Sequence, residues 1–265
     1  MAVCAVFCRM PNNAVTRGPE APQMVVMDLL GVFMDNDHAV KGAISAAFQA
    51  HGERVDEDLA ATAIGFPKTK GIERVLRWLH PMEQPHKESV KSIYALAVKE
   101  LTRMMTYGGA IEPASGVVRL CDNWHKCGVA VAAVSTLDSA VVKVMLRRFG
   151  WDEHPPFHAL VLAEEFHSED PTSAVIEECM RRLGVDDVSA VAKVSTRAKG
   201  LVDAMTLGCG WKVLLDSGSM TTDQIAALGP DVIVNHVADL AQAWKFPVRP
   251  DIALEDEISK ILQRH

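Results

Sequence analysis

The sequence lacks three features that would assign the protein to other broad classes. No uninterrupted apolar stretch approaches the roughly 18 residues that cross a bilayer, although 49% of the 265 residues are hydrophobic. No basic stripe offsets the formal net charge of -7, to which 34 acidic and 27 basic residues contribute along the whole chain. Repeats and low-complexity tracts are also missing. We therefore expect no membrane-embedded segment and no nucleic-acid partner.

Paired CxxC spacing is absent as well. Several of the six cysteines stand inside apolar runs, where a thiol behaves as a small hydrophobe. They are Cys4, Cys8, Cys121, Cys127, Cys179 and Cys209. Neither a zinc site nor a disulfide framework is predicted, and a reducing cytoplasm is the expected compartment.

The first 23 residues differ in composition from the rest of the chain. They carry two arginines and no acidic residue before Glu20, which faintly resembles an organelle transit peptide. A secretory hydrophobic region is not present. The simpler interpretation is a disordered leader, or a start assigned upstream of Met24, with organelle targeting as the alternative.

Strand-like and helical patterns alternate through most of the chain. The apolar run MVVM stands directly before Asp28 and is typical of a buried parallel strand. Further β-rich runs alternate with helical periodicity after residue 109, which predicts right-handed crossovers in a parallel sheet. Residues 37–108 show helical periodicity only. We predict an α/β fold: a Rossmann-like parallel sheet with helices on both faces, formed by residues 24–36 and 109–265, and an inserted all-helical cap, residues 37–108.

Ligands of open parallel sheets bind beyond the carboxyl ends of the strands. The segments that follow the predicted strands are residues 28–35, 135–139, 164–171 and 195–200. We therefore expect the functional residues in these four segments.

Two segments resemble the haloacid dehalogenase superfamily, and its phosphonatase-like branch in particular. VVMDLLGVFMDND resembles the first motif, in which Asp28 is the nucleophile and Gly31 belongs to the substrate-binding loop. Most phosphatases of the superfamily carry an acid two residues after the nucleophile, whereas Leu30 stands there, and phosphonatases lack that acid too. IGFPKTKGI, residues 64–72, resembles the phosphonatase cap signature. The resemblance implies that Lys68 forms a Schiff base with an aldehyde substrate.

The later motifs are recognisable but altered. GVAVAAVST resembles the strand before the second motif, so Ser135 or Thr136 is expected to contact a phosphate group. Where the family writes Gly-Arg-Pro or Gly-Lys-Pro, this chain has an acid, Asp170, before the proline. The fourth motif normally has Gly-Asp and a second Asp four residues later. Here the corresponding residues are Ser195, Thr196 and Gly200.

These substitutions bear on metal-assisted chemistry. The resemblance implies Mg²⁺, held here by Asp28, the backbone carbonyl of Leu30 and Asp170. Asp170, however, stands where the family has its third-motif cation, and a carboxylate facing the phosphate group disfavours phosphoryl transfer. At an effective dielectric constant of ~20, like charges about 4 Å apart repel by roughly 4 kcal/mol. A relocated cation such as Arg197 would compensate and contact the substrate. We favour instead that Lys193, Arg197 and Lys199 extend into water.

Two functions from different classes follow. The first is a phosphonatase-like hydrolase acting on a small phosphorylated, phosphonate or carbonyl substrate through Asp28 and Lys68, with altered metal chemistry. One variant of it dispenses with metal, as haloacid dehalogenases do. The second is a catalytically lapsed descendant used for ligand sensing or protein binding. The resemblance also implies a homodimer formed through the cap.

Overall fold

A computed structural model describes residues 21–34, 38–66, 69–107, 111–166 and 172–244. The fold is a six-stranded, fully parallel sheet with helices around it, which confirms the predicted fold class. The strand order is β3-β2-β1-β4-β5-β6. The strands are β1 (Met24–Asp28), β2 (Ala130–Ser135), β3 (Ala159–Leu162), β4 (Val191–Ser195), β5 (Trp211–Leu215) and β6 (Val232–Val234).

Helices connect the strands and cover both sheet faces. They are α1 (His38–Ala50), α2 (Glu57–Ala61), α3 (Lys70–Leu79), α4 (Lys87–Tyr107), α5 (Val117–Lys126), α6 (Ser139–Arg148), α7 (Thr172–Leu183), α8 (Ala198–Leu207) and α9 (Thr222–Leu228). Short 3₁₀ helices span Ala163–Glu165, Val188–Ala190 and Val237–Gln242. Within the described residues, the last of these 3₁₀ helices follows β6.

The first strand lies in the middle of the sheet, between β2 and β4. Because successive side chains of a strand point to opposite faces, its residues divide between two apolar clusters. Val25 and Met27 join the larger cluster, and Met24 and Val26 join the smaller one, which is completed by residues of α7 such as Ile176. Both faces are therefore covered, as an all-apolar strand requires.

Helices α1 to α4 stand between the first strand and α5, and we call the segment His38–Tyr107 the cap. Polar contacts join it to the sheet region: the Tyr94 hydroxyl of α4 donates to Asp138 Oδ2 over 3.1 Å, and Arg148 Nη1 of α6 donates to the Met105 carbonyl of α4 over 3.5 Å. Burial, and then the neighbouring carboxylate of Asp138, raise the pKa of Tyr94. Asp138 also caps α6 by accepting from Ala140 N over 2.9 Å, so one side chain anchors both parts.

None of the described helices is long and apolar enough to span a bilayer.

The cap has exposed apolar side chains: Trp78 is 69% exposed and Met82 is 95% exposed. The domain bounds, the homodimer through the cap and the leader all stay predictions.

The described cysteines are free thiols, and burial sets their reactivity. Burial raises the pKa of Cys121 and of Cys179 to about 12, and that of Cys209 to about 11. At pH 8 no more than about 0.1% of each of these three is thiolate, the reactive form. We expect iodoacetamide to label the half-buried Cys127 well before these three in the folded protein, as followed by peptide mass spectrometry. Equal labelling rates in native buffer would contradict the packing of the three sites.

Candidate active site

Asp28 is the last residue of β1, at the carboxyl end of the central strand. Its backbone pairs with Val134 of β2, so the loops after β1 and β2 begin side by side. The Asp28 side chain remains 20% exposed, whereas Met24 to Met27 before it are fully buried. The carboxylate is therefore held rigidly by the strand and still accessible to a small molecule.

Lys193 is the main charged partner of Asp28. It lies on β4, where its backbone pairs with Val26, two residues before the aspartate. Lys193 and Asp28 therefore emerge on the same face of the sheet, and the lysine stem reaches along it to the carboxylate. Its ammonium group contacts Asp28 Oδ1, and the Lys193 residue is only 3% exposed. A buried lysine of this kind is rare unless it is paired.

Ser195 binds the second oxygen of the carboxylate. Its hydroxyl donates to Asp28 Oδ2 over 2.6 Å and accepts from the Arg197 backbone N–H over 3.1 Å. The guanidinium of Arg197 in turn donates to the backbone carbonyl of Leu30 over 3.4 Å. The turn before α8 therefore links the end of β4 both to the side chain of Asp28 and to the loop that follows β1.

Two glycines allow the loop after β1 and the first turn of α8 to lie close to the end of β4. Gly31 has a positive φ of 96°, and a Cβ atom added there would lie 2.6 Å from Thr196 Oγ1. A Cβ added at Gly200 would lie 2.6 Å from Ser195 Cβ and closer still to its hydroxyl oxygen. Such distances are shorter than carbon atoms tolerate, so residues 31 and 200 have no room for side chains beside Thr196 and Ser195.

A cavity of ≈ 90 Å³ opens above these groups. Its polar lining comes from the ends of β1, β2 and β4 and from α8: Asp28, Ser135, Thr136, Lys193, Ser195, Arg197, Lys199 and Asp203. Lys199 is paired with Asp203, its ammonium lying 3.2 Å from both carboxylate oxygens. A second cavity of ≈ 60 Å³ lies in the cap and shares Ile64, Gly65, Thr136 and Leu137 with the first.

The structure brings together most of the residues that the sequence singled out. Asp28, Ser135, Thr136 and Arg197 line the cavity. Ser135 Oγ accepts from Leu137 N over 3.1 Å, which orients it at the strand end. Gly31 does not line the cavity: its N–H donates to Met34 O over 2.9 Å, and the residue serves to admit Thr196. Lys68 and Asp170 lie outside the described residues.

The expectation that the charges near the fourth motif extend into water is wrong for Lys193 and Arg197. Lys193 is buried against Asp28, and Arg197 is bonded to the Leu30 carbonyl. The relocated cation that was considered less favourable is therefore present, at Lys193. A lysine inside the apolar strand VAKVS, two residues before Ser195, was the signal available in the sequence. Strand alternation places both side chains on one face.

The predicted Mg²⁺ site does not fit the described residues. Each oxygen of Asp28 already accepts one hydrogen bond, from Lys193 or from Ser195, and the Leu30 carbonyl that was expected to bind metal accepts one from Arg197. No group of three or more His, Cys, Asp or Glu side chains suited to a metal ion occurs within the described ranges. Mg²⁺ prefers several carboxylate and water oxygens in octahedral geometry, and here it would face an ammonium group.

Solved structures with the same architecture are numerous. A phosphonoacetaldehyde hydrolase like protein from Oleispira antarctica is 18% identical and has a TM-score of 0.71, over 89% of this chain and 95% of that one. CbbY from Rhodobacter sphaeroides, in complex with phosphate, is 19% identical with a TM-score of 0.67, over 83% and 96%. A predicted phosphoglycolate phosphatase from Haemophilus somnus 129pt is 18% identical with a TM-score of 0.71, over 85% and 98%. At these identities the likeness shows the fold.

The family assignment comes from the sequence and not from the likeness in fold. A search of curated proteins found no match. The family model described as haloacid dehalogenase-like hydrolase, however, matches residues 25–192, which is more than half of the chain and runs from β1, with Asp28, through the cap to the first two residues of β4. The chain therefore belongs to the haloacid dehalogenase-like hydrolase family.

Proposed function

We propose that the chain is a hydrolase whose nucleophile is Asp28 and whose substrate is a small organic molecule with a leaving group that departs without being protonated. One observation carries this proposal: the Asp28 carboxylate lines a cavity at the end of the central strand and is oriented there by Lys193 and Ser195. Orientation of this kind prepares a carboxylate for attack and costs no rearrangement during the reaction.

Hydrogen bonding leaves the carboxylate able to attack. Each oxygen of an ionised carboxylate has two lone-pair positions, and the structure shows one side-chain donor on each oxygen. A free lone pair of Asp28 forms a bond to the reacting carbon or phosphorus atom, and the bond to the leaving group breaks with its electron pair on that group. Water then hydrolyses the covalent intermediate and restores the carboxylate.

The leaving group is constrained by what stands near Asp28. Leu30, 5% exposed, occupies the position two residues later and has no proton to donate. The other carboxylate among the described cavity residues, Asp203, is paired with Lys199. No carboxylic acid among the described cavity residues is therefore placed to protonate a leaving group, which favours leaving groups that are stable without a proton. A halide meets this requirement, and so does the carbanion of a phosphonate when an adjacent carbonyl, or an imine formed by Lys68, accepts the electron pair.

The cap cavity indicates the rest of the substrate. Its lining is mainly apolar, with Val40, Ile44, Ile72 and Leu101 among its members, and Tyr94 and Asp138 at one side. Because it joins the site cavity at Ile64 and Thr136, a molecule with a polar head at Asp28 extends an apolar part into the cap. The volume of ≈ 60 Å³ suits a short body rather than a sugar, which would leave its hydroxyls without partners there.

Turnover and trapping test this proposal together. The purified protein and Asp28→Asn are incubated with phosphonoacetaldehyde, 2-halo acids with short alkyl chains, and simple phosphate esters as the poor-leaving-group control. We expect release of phosphate or halide from the first two classes, a fall of about 10³-fold or more in Asp28→Asn, and a substrate adduct on Asp28 in acid-quenched digests. Turnover that survives in Asp28→Asn would contradict the assignment of the nucleophile.

Borohydride reduction with an aldehyde separates the roles of two lysines. A label on the peptide that contains Lys68 supports the Schiff base expected from the phosphonatase resemblance. A label on Lys193 assigns that chemistry to the buried lysine, and the absence of any label removes imine formation and leaves the halide class.

A binding function without turnover is the second candidate. The observation that favours it is the pairing of Asp28 with a buried lysine, which lowers the reactivity of a carboxylate as well as orienting it. Ligand-induced stabilisation with no turnover across the whole substrate panel would support this second candidate.

A further inference from the structure

We propose that the active site of this chain excludes divalent cations and that the ammonium group of Lys193 takes the electrostatic place of such a cation. The inference concerns cation binding, so it holds or fails whether or not the protein turns over a substrate. It rests on the contacts around Asp28: the buried ammonium group of Lys193 lies against the carboxylate, and each of the predicted ligand oxygens of Asp28 and Leu30 already accepts one hydrogen bond from this chain.

The oxygen atoms are the first observation. The described residues offer three oxygens at the end of β1: the two of the Asp28 carboxylate and the carbonyl of Leu30. Lys193, Ser195 and Arg197 donate to them in that order. A hard cation binds six or more oxygens, and it would have to share each of these oxygens with a hydrogen-bond donor of this chain. No group of three or more His, Cys, Asp or Glu side chains that could hold a metal ion occurs within the described ranges.

The charge is the second observation. Lys193 is 3% exposed and lies on the strand next to Asp28, so water screens its charge poorly. A cation bound to Asp28 would lie beside this buried like charge. The ammonium group of Lys193 gives the carboxylate a positively charged neighbour that belongs to the chain and does not have to be bound from solution. Lys193 is thus a positioning residue that acts through Asp28.

The third observation is that the space around Gly200 cannot accept an acidic side chain. Any side chain at residue 200 would overlap Ser195, whose own hydroxyl is committed to Asp28. An acid at position 200 therefore requires the loss of Ser195 first. The serine and the glycine thus leave Asp28 without an acidic neighbour at residue 200, and the lysine supplies a positive charge beside it.

Calorimetric titration with Mg²⁺ and Mn²⁺ tests the inference directly. We expect no saturable binding to the wild-type protein up to about 10 mM, since a single carboxylate holds these ions weakly. Lys193→Met should bind at least about tenfold more tightly than the wild type because the like charge is gone. Lys212→Met is the matched control. Lys212 is the register neighbour of Lys193 on β5, pairs with Asp231 and is not among the residues lining the cavity.

Two results would overturn the proposal. One is saturable Mg²⁺ binding to the wild type that is lost in Asp28→Asn or in Asp170→Asn, the second of which tests the acid predicted as a metal ligand. The other is a Lys193→Met protein, shown by circular dichroism to be folded, that binds no better than the wild type. If Lys193→Met does not fold, titration of the wild type and of Asp28→Asn with Mg²⁺ still tests the proposal.

Discussion

Replacement of Lys193 by methionine is expected to destabilise the protein by about 3 kcal/mol, because it leaves the Asp28 carboxylate without its buried counter-ion. The figure is at the lower end of the range for buried pairs because the Asp28 side chain is 20% exposed to the cavity. Methionine has a similar length and fills the space of the lysine stem, so the lost charge dominates the effect. Urea denaturation followed by circular dichroism measures it.

Two comparisons isolate the charge pair from other effects. Lys212→Met removes an ion pair with Asp231 that is partly exposed, and should cost less than about 1 kcal/mol. Asp28→Asn combined with Lys193→Met should recover much of the loss, because both charges are then absent. If Lys193→Met costs no more than Lys212→Met, the pair is not a buried interaction in solution.

The same substitution should also remove activity. If Asp28 is the nucleophile, losing the group that orients Oδ1 and the positive charge beside it lowers kcat by about 10³-fold, with KM changed much less. The Lys212→Met protein should keep wild-type kinetics. A change in KM alone would assign Lys193 to substrate binding rather than to positioning of the carboxylate.

Substitution of Gly200 by alanine is the second large effect. The added methyl group would lie 2.6 Å from Ser195 Cβ, and overpacking of this kind costs about 1–3 kcal/mol. We expect the higher value, because Ser195 is fully buried and bonded to Asp28 and cannot move away freely. Thermal and urea unfolding of the purified variant give the change.

A double-mutant cycle identifies the cause. Ser195→Gly removes the side chain that clashes, so Gly200→Ala should cost less than about 0.5 kcal/mol in that background. Gly42→Ala is the control for helix propensity: Gly42 stands in α1 with nothing within 4 Å of an added Cβ, and alanine there should stabilise by about 0.5–1 kcal/mol. Additive effects at residues 195 and 200 would contradict the predicted steric coupling.

The fold was predictable because its signals are local. Apolar runs such as MVVM and VAKVS are long enough to show buried strands, and the helical periodicity of residues 37–108 contains no strand pattern. Alternation of the two then restricts the topology to a parallel sheet. The short turn after β6 was less predictable, since a few helical residues satisfy an α-helical pattern and a 3₁₀ turn equally well.

The site was predictable only in part. Asp28 and Ser135 end their strands and Thr136 follows one directly, and the carboxyl ends of parallel strands lie at the same edge of the sheet. Lys193 precedes the end of its strand and was therefore not assigned to the site. Its role depends on the register between β1 and β4, in which Lys193 pairs with Val26, two residues before Asp28. The long lysine side chain spans this offset and reaches the carboxylate.

The sequence by itself determined the order of strands and helices along the chain and the segments that lie at the carboxyl edge of the sheet, because each depends on neighbouring residues. Only the tertiary structure decided the charge balance around Asp28. Lys193, Ser195 and Arg197 are more than 160 residues away from the aspartate along the chain, and only strand pairing brings them together. Because a charge acts through distance in space, the change from a metal site to a lysine-paired carboxylate becomes visible only in the assembled sheet.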